Sequence, residues 1–193
     1  TTIEFVEAGQ IFIRFRYRLV MAGEYETDEY SQVVAAVDGK LVDVNGESFL
    51  LEMRGTEGNT AAQDSGWRTA SLAVELAAGM HTIAIGAWSN KKTGAREVTT
   101  ARFDDVLISL PAPDGSSSVD TSLAFGFDAD VDGFAFRDDT FRGTDSPEYA
   151  SGQYEPDGGM IGGGLSVALG GIDSVNILDG ISAGWSRSFE VAE

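Results

Sequence analysis

The sequence predicts an all-β protein, specifically an antiparallel β-sandwich of two packed sheets. The clearest evidence is the stretch 11–19, where apolar and polar residues alternate with the two-residue period of a half-buried strand. Turn-forming Gly, Asp and Asn separate many short segments of this kind, and helical periodicity is weak. The residues of 11–19 on the predicted core face are Ile11, Ile13, Phe15, Tyr17 and Leu19, and those on the other face are Phe12, Arg14, Arg16 and Arg18.

Further strands follow along the chain. Residues 32–37 are predicted to pair with 41–44 through the Asp38-Gly39 turn, because Asp-Gly favours a tight hairpin. Strands are also predicted at 49–53, 69–76, 82–88 and 98–110. Residues 72–78 are rich in Ala and Leu, but Gly79 follows and strand patterns flank them, so a strand is favoured over a helix.

The domain organisation follows from length and composition. A chain of 193 residues with 42% hydrophobic residues is expected to form one domain, residues 1–193. Residues 111–120 are rich in Pro, Gly and Ser and are predicted to be a linker. Residues 121–193 are glycine-rich and too few for a core of their own, so we expect them to share one core with residues 1–110.

The charge excludes some partners. Thirty-one acidic residues against 13 basic ones give a net charge of −18, which repels phosphate backbones and makes nucleic-acid binding unfavourable. No apolar run reaches the roughly 18 residues of a membrane span, so membrane insertion is not expected. The acidity fits a soluble surface in a salty habitat or carboxylates grouped around divalent cations, and both can hold. The absence of cysteine removes thiolate chemistry and disulfides.

One acidic motif predicts calcium binding. Asp128, Asp130 and Asp132 alternate before Gly133, which suits a loop curling around a hard cation, and Asp139 stands at the twelfth position. Phenylalanines flank the motif, which indicates strands in place of the helices of an EF-hand. The alternative is a solvated acidic turn. The flanking residues are Phe125, Phe127, Phe134 and Phe136.

Two segments carry a family resemblance. Residues 102–108, Arg-Phe-Asp-Asp-Val-Leu-Ile, resemble the closing strand of jelly rolls in carbohydrate-binding modules and MAM-type domains, which have concanavalin- or galactose-binding-like folds. Residues 125–134 are similar to the opening strand. The order is reversed, so either the domain is circularly permuted or the chain joins two repeats. Permutation is favoured because residues 185–191 would run into a strand such as 11–19.

The resemblance implies a structural calcium. In the resembling jelly rolls, an acid of the closing strand and one of the opening strand bind that ion together. Carried over to this chain, the pair is Asp104 or Asp105 with Asp128. The alternative is an acidic pair exposed to water at a strand edge.

Other residues are candidates for ligand binding. Trp88 ends a strand beside Asn90 and Lys92, which offers an apolar ring and polar groups to a sugar, although Trp88 could equally be core. The acidic segment 24–30, with Glu26 and Asp28, could hold calcium or pair with Arg14, Arg16 and Arg18. Alternatively Arg16 and Arg18 belong to a polar binding face that grips carboxylates or sugar hydroxyls.

Catalytic motifs are weak. His81 is the single histidine and is interpreted as structural, and no Gly-x-Ser-x-Gly motif is present. We therefore expect a non-catalytic, calcium-dependent module that binds a glycan or peptide, outside the cell or on its surface. It would be a monomeric part of a large bacterial adhesin or polysaccharide-degrading protein. The alternatives are a carboxylate-based glycoside hydrolase or lyase and a calcium-stabilised spacer domain.

Overall fold

Two antiparallel sheets packed face to face form the protein in the computed structural model, which describes residues 9–56, 61–109, 122–142, 147–171 and 180–191. The predicted all-β fold and its two-sheet sandwich are confirmed. Within these residues, no helix is long and apolar enough to cross a membrane.

The strands of sheet A are β1 (Gly9–Ala22), β5 (Gln63–Asp64), β6 (Arg68–Leu76), β8 (Val98–Ser109), β9 (Ser122–Phe125), β11 (Ala150–Glu155) and β12 (Gly164–Gly170). Their order is β11-β12-β8-β1-β5, and β6 also pairs with β1 and β9 with β8. The strands of sheet B are β2 (Tyr30–Val37), β3 (Lys40–Leu41), β4 (Leu51–Arg54), β7 (Gly79–Ser89), β10 (Ala135–Asp138) and β13 (Ile181–Val191). Their order is β10-β13-β7-β2-β3, and β4 also pairs with β2. A 3₁₀ turn spans Pro147–Tyr149.

The alternating segment forms β1, as predicted, and its apolar face is the core face. The five apolar residues from Ile11 to Leu19 are at most 5% exposed, whereas Phe12 on the other face is 40% exposed. The register between β1 and β8 shifts between Arg14 and Arg16, where Asp105 adopts φ 52° as the extra residue of a β-bulge.

The Asp38-Gly39 hairpin is also confirmed, because both turn residues have positive φ and join β2 to β3. The partner strand is shorter than predicted and ends at Leu41. The cause is a second turn, in which the Gly46 N–H donates to Asp43 Oδ1 at 2.7 Å and Asn45 has positive φ.

Residues on both sides of the predicted linker build both sheets. Strands β9 and β12 pair with β8 in sheet A, and β13 pairs with β7 in sheet B. One core cluster contains Phe15 and Phe103 as well as Phe127 and Leu165. The Trp185 indole Nε1–H donates to the Ser166 carbonyl at 2.9 Å, which ties sheet B to sheet A. The predicted linker 111–120 lies outside the described residues.

The two segments that carry the family resemblance meet in sheet A only at Phe125, the last residue of β9. Residues 102–108 lie in β8, and residues 125–134 begin at the end of β9, which pairs with β8. Strand β13 lies in sheet B and β1 in sheet A, so these two strands belong to different sheets.

Candidate metal and ligand site

Two loops meet at one end of the sandwich, one between β1 and β2 and the other between β7 and β8. Asn90 joins them, because its Oδ1 accepts the Tyr30 N–H at 2.7 Å and its Nδ2 donates to the Asp28 carbonyl at 2.8 Å. The acidic segment 24–30 therefore lies beside the end of β7 that carries Trp88.

Three carboxylates converge between these loops. One oxygen from each of Glu26, Glu29 and Glu97 lies within 4.8 Å of the other two. Glu29 is 0% exposed and Glu97 is 3% exposed, while Glu26 lies at the surface. Across the described ranges of the chain, this is the one such group of three His, Asp or Glu side chains. Buried carboxylates need compensation by hydrogen bonds, protons or cations.

Thr93 holds the three carboxylates together. Its backbone N–H donates to Glu97 Oε2 at 2.6 Å. Its hydroxyl Oγ1 lies 2.8 Å from Glu26 Oε2 and 2.9 Å from Glu29 Oε1. A hydroxyl has one hydrogen, so it donates to one carboxylate or shares that hydrogen between the two. The second contact also fits a proton on a carboxyl group or a cation shared by the oxygens.

The two carboxyl groups that contact this hydroxyl have pKa values shifted in opposite directions. Burial raises the pKa of Glu29 to about 7, against the lowering effect of the Glu26 backbone N–H. The Thr93 hydrogen bond lowers the pKa of Glu26. A site with one ionised and one near-neutral carboxyl at neutral pH suits either a shared proton or a divalent cation.

A buried hydroxyl network supports the site from the core side. The Tyr25 hydroxyl contacts Thr99 Oγ1 at 2.9 Å, and Ser31 Oγ contacts Thr99 Oγ1 at 2.6 Å and Ser89 Oγ at 2.7 Å. Burial raises the pKa of Tyr25, so its hydroxyl stays neutral. The network fixes the first loop to β7 and β8 and thereby positions the carboxylates.

The predicted ligand residues on the second loop differ in their placement. Trp88 is half-buried on the outer face of sheet B, with the Tyr30 ring edge-on at 5.5 Å and the Arg142 guanidinium 4.3 Å from its ring centroid. Asn90 is half-buried and joins the loops. Lys92 is 1% exposed, and its Nζ lies 5.6 Å from the centroid of the Tyr149 ring. The ammonium of Lys92 is thus directed inward and not offered to solvent.

The acidic segment pairs with basic residues of the second loop. Asp28 Oδ2 accepts from Lys91 Nζ at 2.7 Å, and Glu24 Oε1 accepts from Arg96 at 2.7 Å. These pairs are exposed and add little stability, but they keep the two loops together.

The arginines of β1 lie elsewhere. Arg16 donates to Thr69 Oγ1 at 3.0 Å and lies 3.8 Å from Asp105 Oδ2, and Arg18 forms a two-pronged pair with Asp64. They do meet carboxylates, but on the outer face of sheet A. The structure does not bring Arg16 and Arg18 together with Trp88, which lies on sheet B.

Asp104 and Asp105 have different surroundings. Asp104 is 0% exposed and accepts the Asp105 N–H at 2.7 Å and the Met160 N–H at 2.8 Å. Burial raises the pKa of Asp104. Asp105 is exposed at the bulge. A Cβ on Gly162 would lie 2.5 Å from Asp128 Oδ1, so Asp128 and Asp104 border the same glycine-rich turn.

The Asp128–Asp132 segment forms a compact turn. Asp132 Oδ2 accepts the Phe127 N–H at 2.9 Å, and Asp130 Oδ1 accepts the Asp132 N–H at 2.6 Å. Strand β10 separates this turn from Asp139, whose N–H donates to the Ser182 carbonyl at 2.9 Å. The structure therefore does not bring Asp139 together with Asp128, Asp130 and Asp132.

Sequence reasoning missed Glu29 and Glu97. Glu29 belongs to the acidic segment that was considered for calcium, but nothing distinguished it from its neighbours. Glu97 is a single acid before β8, and only the folding of β7 back beside β2 brings it to Glu29. Comparison of the chain with protein-family models, curated proteins and solved structures finds no match in any of the three.

Proposed function

We propose that this protein is a non-catalytic, calcium-dependent module that binds a glycan or peptide ligand outside the cell. The observation that carries the proposal is the convergence of the Glu26, Glu29 and Glu97 carboxylates within 4.8 Å. Calcium takes six to eight oxygen ligands, and three carboxylates with the Thr93 hydroxyl supply a large part of such a set. The protein's acidity fits a requirement for divalent cations.

The geometry favours a cation over a catalytic role for these groups. Two of the three carboxylates are buried and already oriented by Thr93, which suits an enclosed ion better than an approaching substrate. A cation there would offset the repulsion between Glu29 and Glu97, which raises the pKa of Glu29 together with the dominant effect of burial.

The cation would also order the two loops that lie next to the proposed ligand residue Trp88. The loop that carries Glu26 and Glu29 is joined through Asn90 to the end of β7, and Trp88 lies in that strand. An ion that fixes both loops would fix the surroundings of Trp88. We therefore expect ligand binding to depend on calcium through loop order. The resemblance to jelly-roll modules supports a place in a large bacterial adhesin or polysaccharide-degrading protein.

Calcium titration tests the proposal. Wild type should bind calcium in calorimetry and melt several degrees higher with calcium than with EDTA, because a native-state ligand stabilises by mass action. Glu97→Gln should weaken calcium binding at least about tenfold, since a buried anionic ligand is lost. Exposed Glu47→Gln is the matched control and should bind as wild type. Wild type that binds no calcium overturns the proposal.

The ligand is tested separately on glycan and peptide arrays. Wild type should bind one ligand class in calcium buffer and lose it in EDTA. Binding that is equal in both buffers would contradict calcium dependence.

A further inference from the structure

Three side chains form one row across sheet B, on the face turned away from the core. In the register of the sheet, Trp88 of β7 is directly opposite Gln32 of β2 and Ser182 of β13. The adjacent row, with Val33 and Ala87, belongs to the core cluster, so the Gln32–Trp88–Ser182 row lies on the outer face.

Each residue of this row has a buried polar atom that makes no hydrogen bond to any of the described residues. The atoms are Gln32 Oε1, Trp88 Nε1 and Ser182 Oγ. Gln32 is 3% exposed and Ser182 is 0% exposed. The other end of the Gln32 amide is satisfied, because Nε2 donates to Glu52 Oε2 at 2.6 Å. Nearly all buried polar atoms in folded proteins have partners, so three unpartnered atoms on adjacent strands call for an explanation.

Phe141 and Arg142 cover this face. A Cβ on Gly86 would lie 2.5 Å from Phe141 Cε2, and one on Gly184 would lie 2.7 Å from the same atom, so the ring rests on two glycines. The Arg142 guanidinium stacks on Trp88 at 4.3 Å and donates to Ser48 Oγ at 3.0 Å. Neither side chain makes a hydrogen bond to the three buried polar atoms of the row, as far as the described residues show.

The chemistry of the row matches a sugar. It offers an acceptor at Gln32, a donor at the Trp88 indole and a hydroxyl at Ser182 that can do either. Beside these atoms lie the Trp88 ring and the two glycines, Gly86 and Gly184, that the Phe141 ring contacts. Pyranose hydroxyls both donate and accept, and the C–H face of the ring stacks on aromatic groups. We propose that a pyranose unit of a glycan binds on the Gln32–Trp88–Ser182 row and displaces Phe141 and Arg142.

This inference rests on the proposed ligand-binding function and names its ligand class and site. Because Phe141 and Arg142 occupy the same surface as the sugar, the apparent affinity is reduced by the fraction of molecules in which the row is open. A substitution that weakens the packing of Phe141 or Arg142 on the row should therefore increase the affinity for the sugar.

The main test is Ser182→Ala, measured on an array of defined hexasaccharides of glucose, mannose, galactose, xylose and uronic acid units. Within the described part of the chain the Ser182 hydroxyl makes no hydrogen bond, so the variant should melt no lower than wild type. It should bind the hexasaccharide selected by wild type about fivefold or more weakly, because one ligand hydrogen bond is lost. Ser186→Ala, on the same face of β13, is the matched control and should bind as wild type.

Two further variants test the displacement and the indole. Arg142→Ala should bind the same hexasaccharide about threefold or more tightly, because the open state is more populated. Trp88→Phe keeps a ring but lacks the N–H and should bind more weakly. Wild-type affinity in Ser182→Ala, weaker binding in Arg142→Ala or no hexasaccharide bound by wild type overturns the inference. If wild type still binds calcium and melts higher with it, these results overturn the sugar site alone. If wild type does not bind calcium, the proposed function itself is overturned.

Discussion

The backbone N–H of Glu26 donates a 2.7 Å hydrogen bond to Oε2 of Glu29, and both carboxylates contact the hydroxyl of Thr93. The loop is therefore closed by a carboxyl group whose pKa burial raises to about 7. A proton or a cation would add to the hydrogen bonds that compensate the charge on Glu29, which couples pH, calcium and the order of the loop.

The first prediction concerns pH in calcium-free protein. The pKa of Glu29 is about 7 in the folded protein against an ordinary value of 4.5. Below pH 4.5 both states are protonated and Glu29 contributes nothing to the pH dependence. As pH rises toward 7, the unfolded chain releases its proton first, so the free energy of unfolding falls, by at most about 3 kcal/mol. Urea unfolding at pH 5 and pH 8 in EDTA measures the loss.

Glu29→Gln isolates this contribution. The variant should have a flatter pH profile and be more stable than wild type at pH 8 in EDTA. Exposed Glu47→Gln should follow wild type. Calcium at pH 8 should restore the stability of wild type but not raise that of Glu29→Gln. Equal pH profiles for wild type and Glu29→Gln would show that Glu29 ionises normally.

Local patterns in the sequence were sufficient for β1, β2, β4, β6, β7 and β8, but they did not identify β5, β11 or β12. The two-residue alternation of 11–19 identifies the core face of β1, because one face of that strand is buried along its length. The Asp38-Gly39 turn identifies the β2–β3 hairpin, since both residues adopt positive φ.

The site itself depended on information that no local pattern carries. Glu97 meets Glu29 only through the pairing of β2 with β7. The bulge at Asp105 separates the adjacent acids, since it leaves Asp104 buried against the glycine-rich turn and Asp105 in solvent. Lysine is usually a surface residue, but the whole Lys92 side chain is buried in the folded protein. Such placements depend on sheet pairing and not on residue type.

The second prediction concerns the number of calcium sites. Among the described residues, only Glu26, Glu29 and Glu97 bring three acidic side-chain oxygens within 4.8 Å of one another, so we expect one calcium site, at the glutamates. Asp130→Ala should keep most of the calcium-dependent rise in melting temperature, whereas Glu97→Gln should lose it. The number of ions from calorimetry checks this. Loss of the calcium effect in Asp130→Ala would assign the ion to the Asp128–Asp132 turn.

The third prediction concerns the two parts of the chain. Because β12 pairs with β8 and β13 pairs with β7, each part supplies strands to both sheets. Cleavage at a protease site inserted at Ser116 should therefore leave the fragments associated during gel filtration, with one cooperative unfolding transition. Fragments that separate and each unfold cooperatively would contradict a shared core.

The last prediction concerns the sandwich edge, where Phe136 of β10 in sheet B packs on Gly152 of β11 in sheet A. A Cβ on Gly152 would lie 2.1 Å from Phe136 Cδ2, and the Phe136 ring also packs edge-on against Trp185 at 5.7 Å. Gly152→Ala should therefore cost about 1–3 kcal/mol of unfolding free energy through overpacking. The cost should be much smaller in a Phe136→Ala background, because the clash is removed. Urea unfolding of wild type, the two single variants and the double variant measures this coupling, and additive effects would indicate that the two residues do not touch.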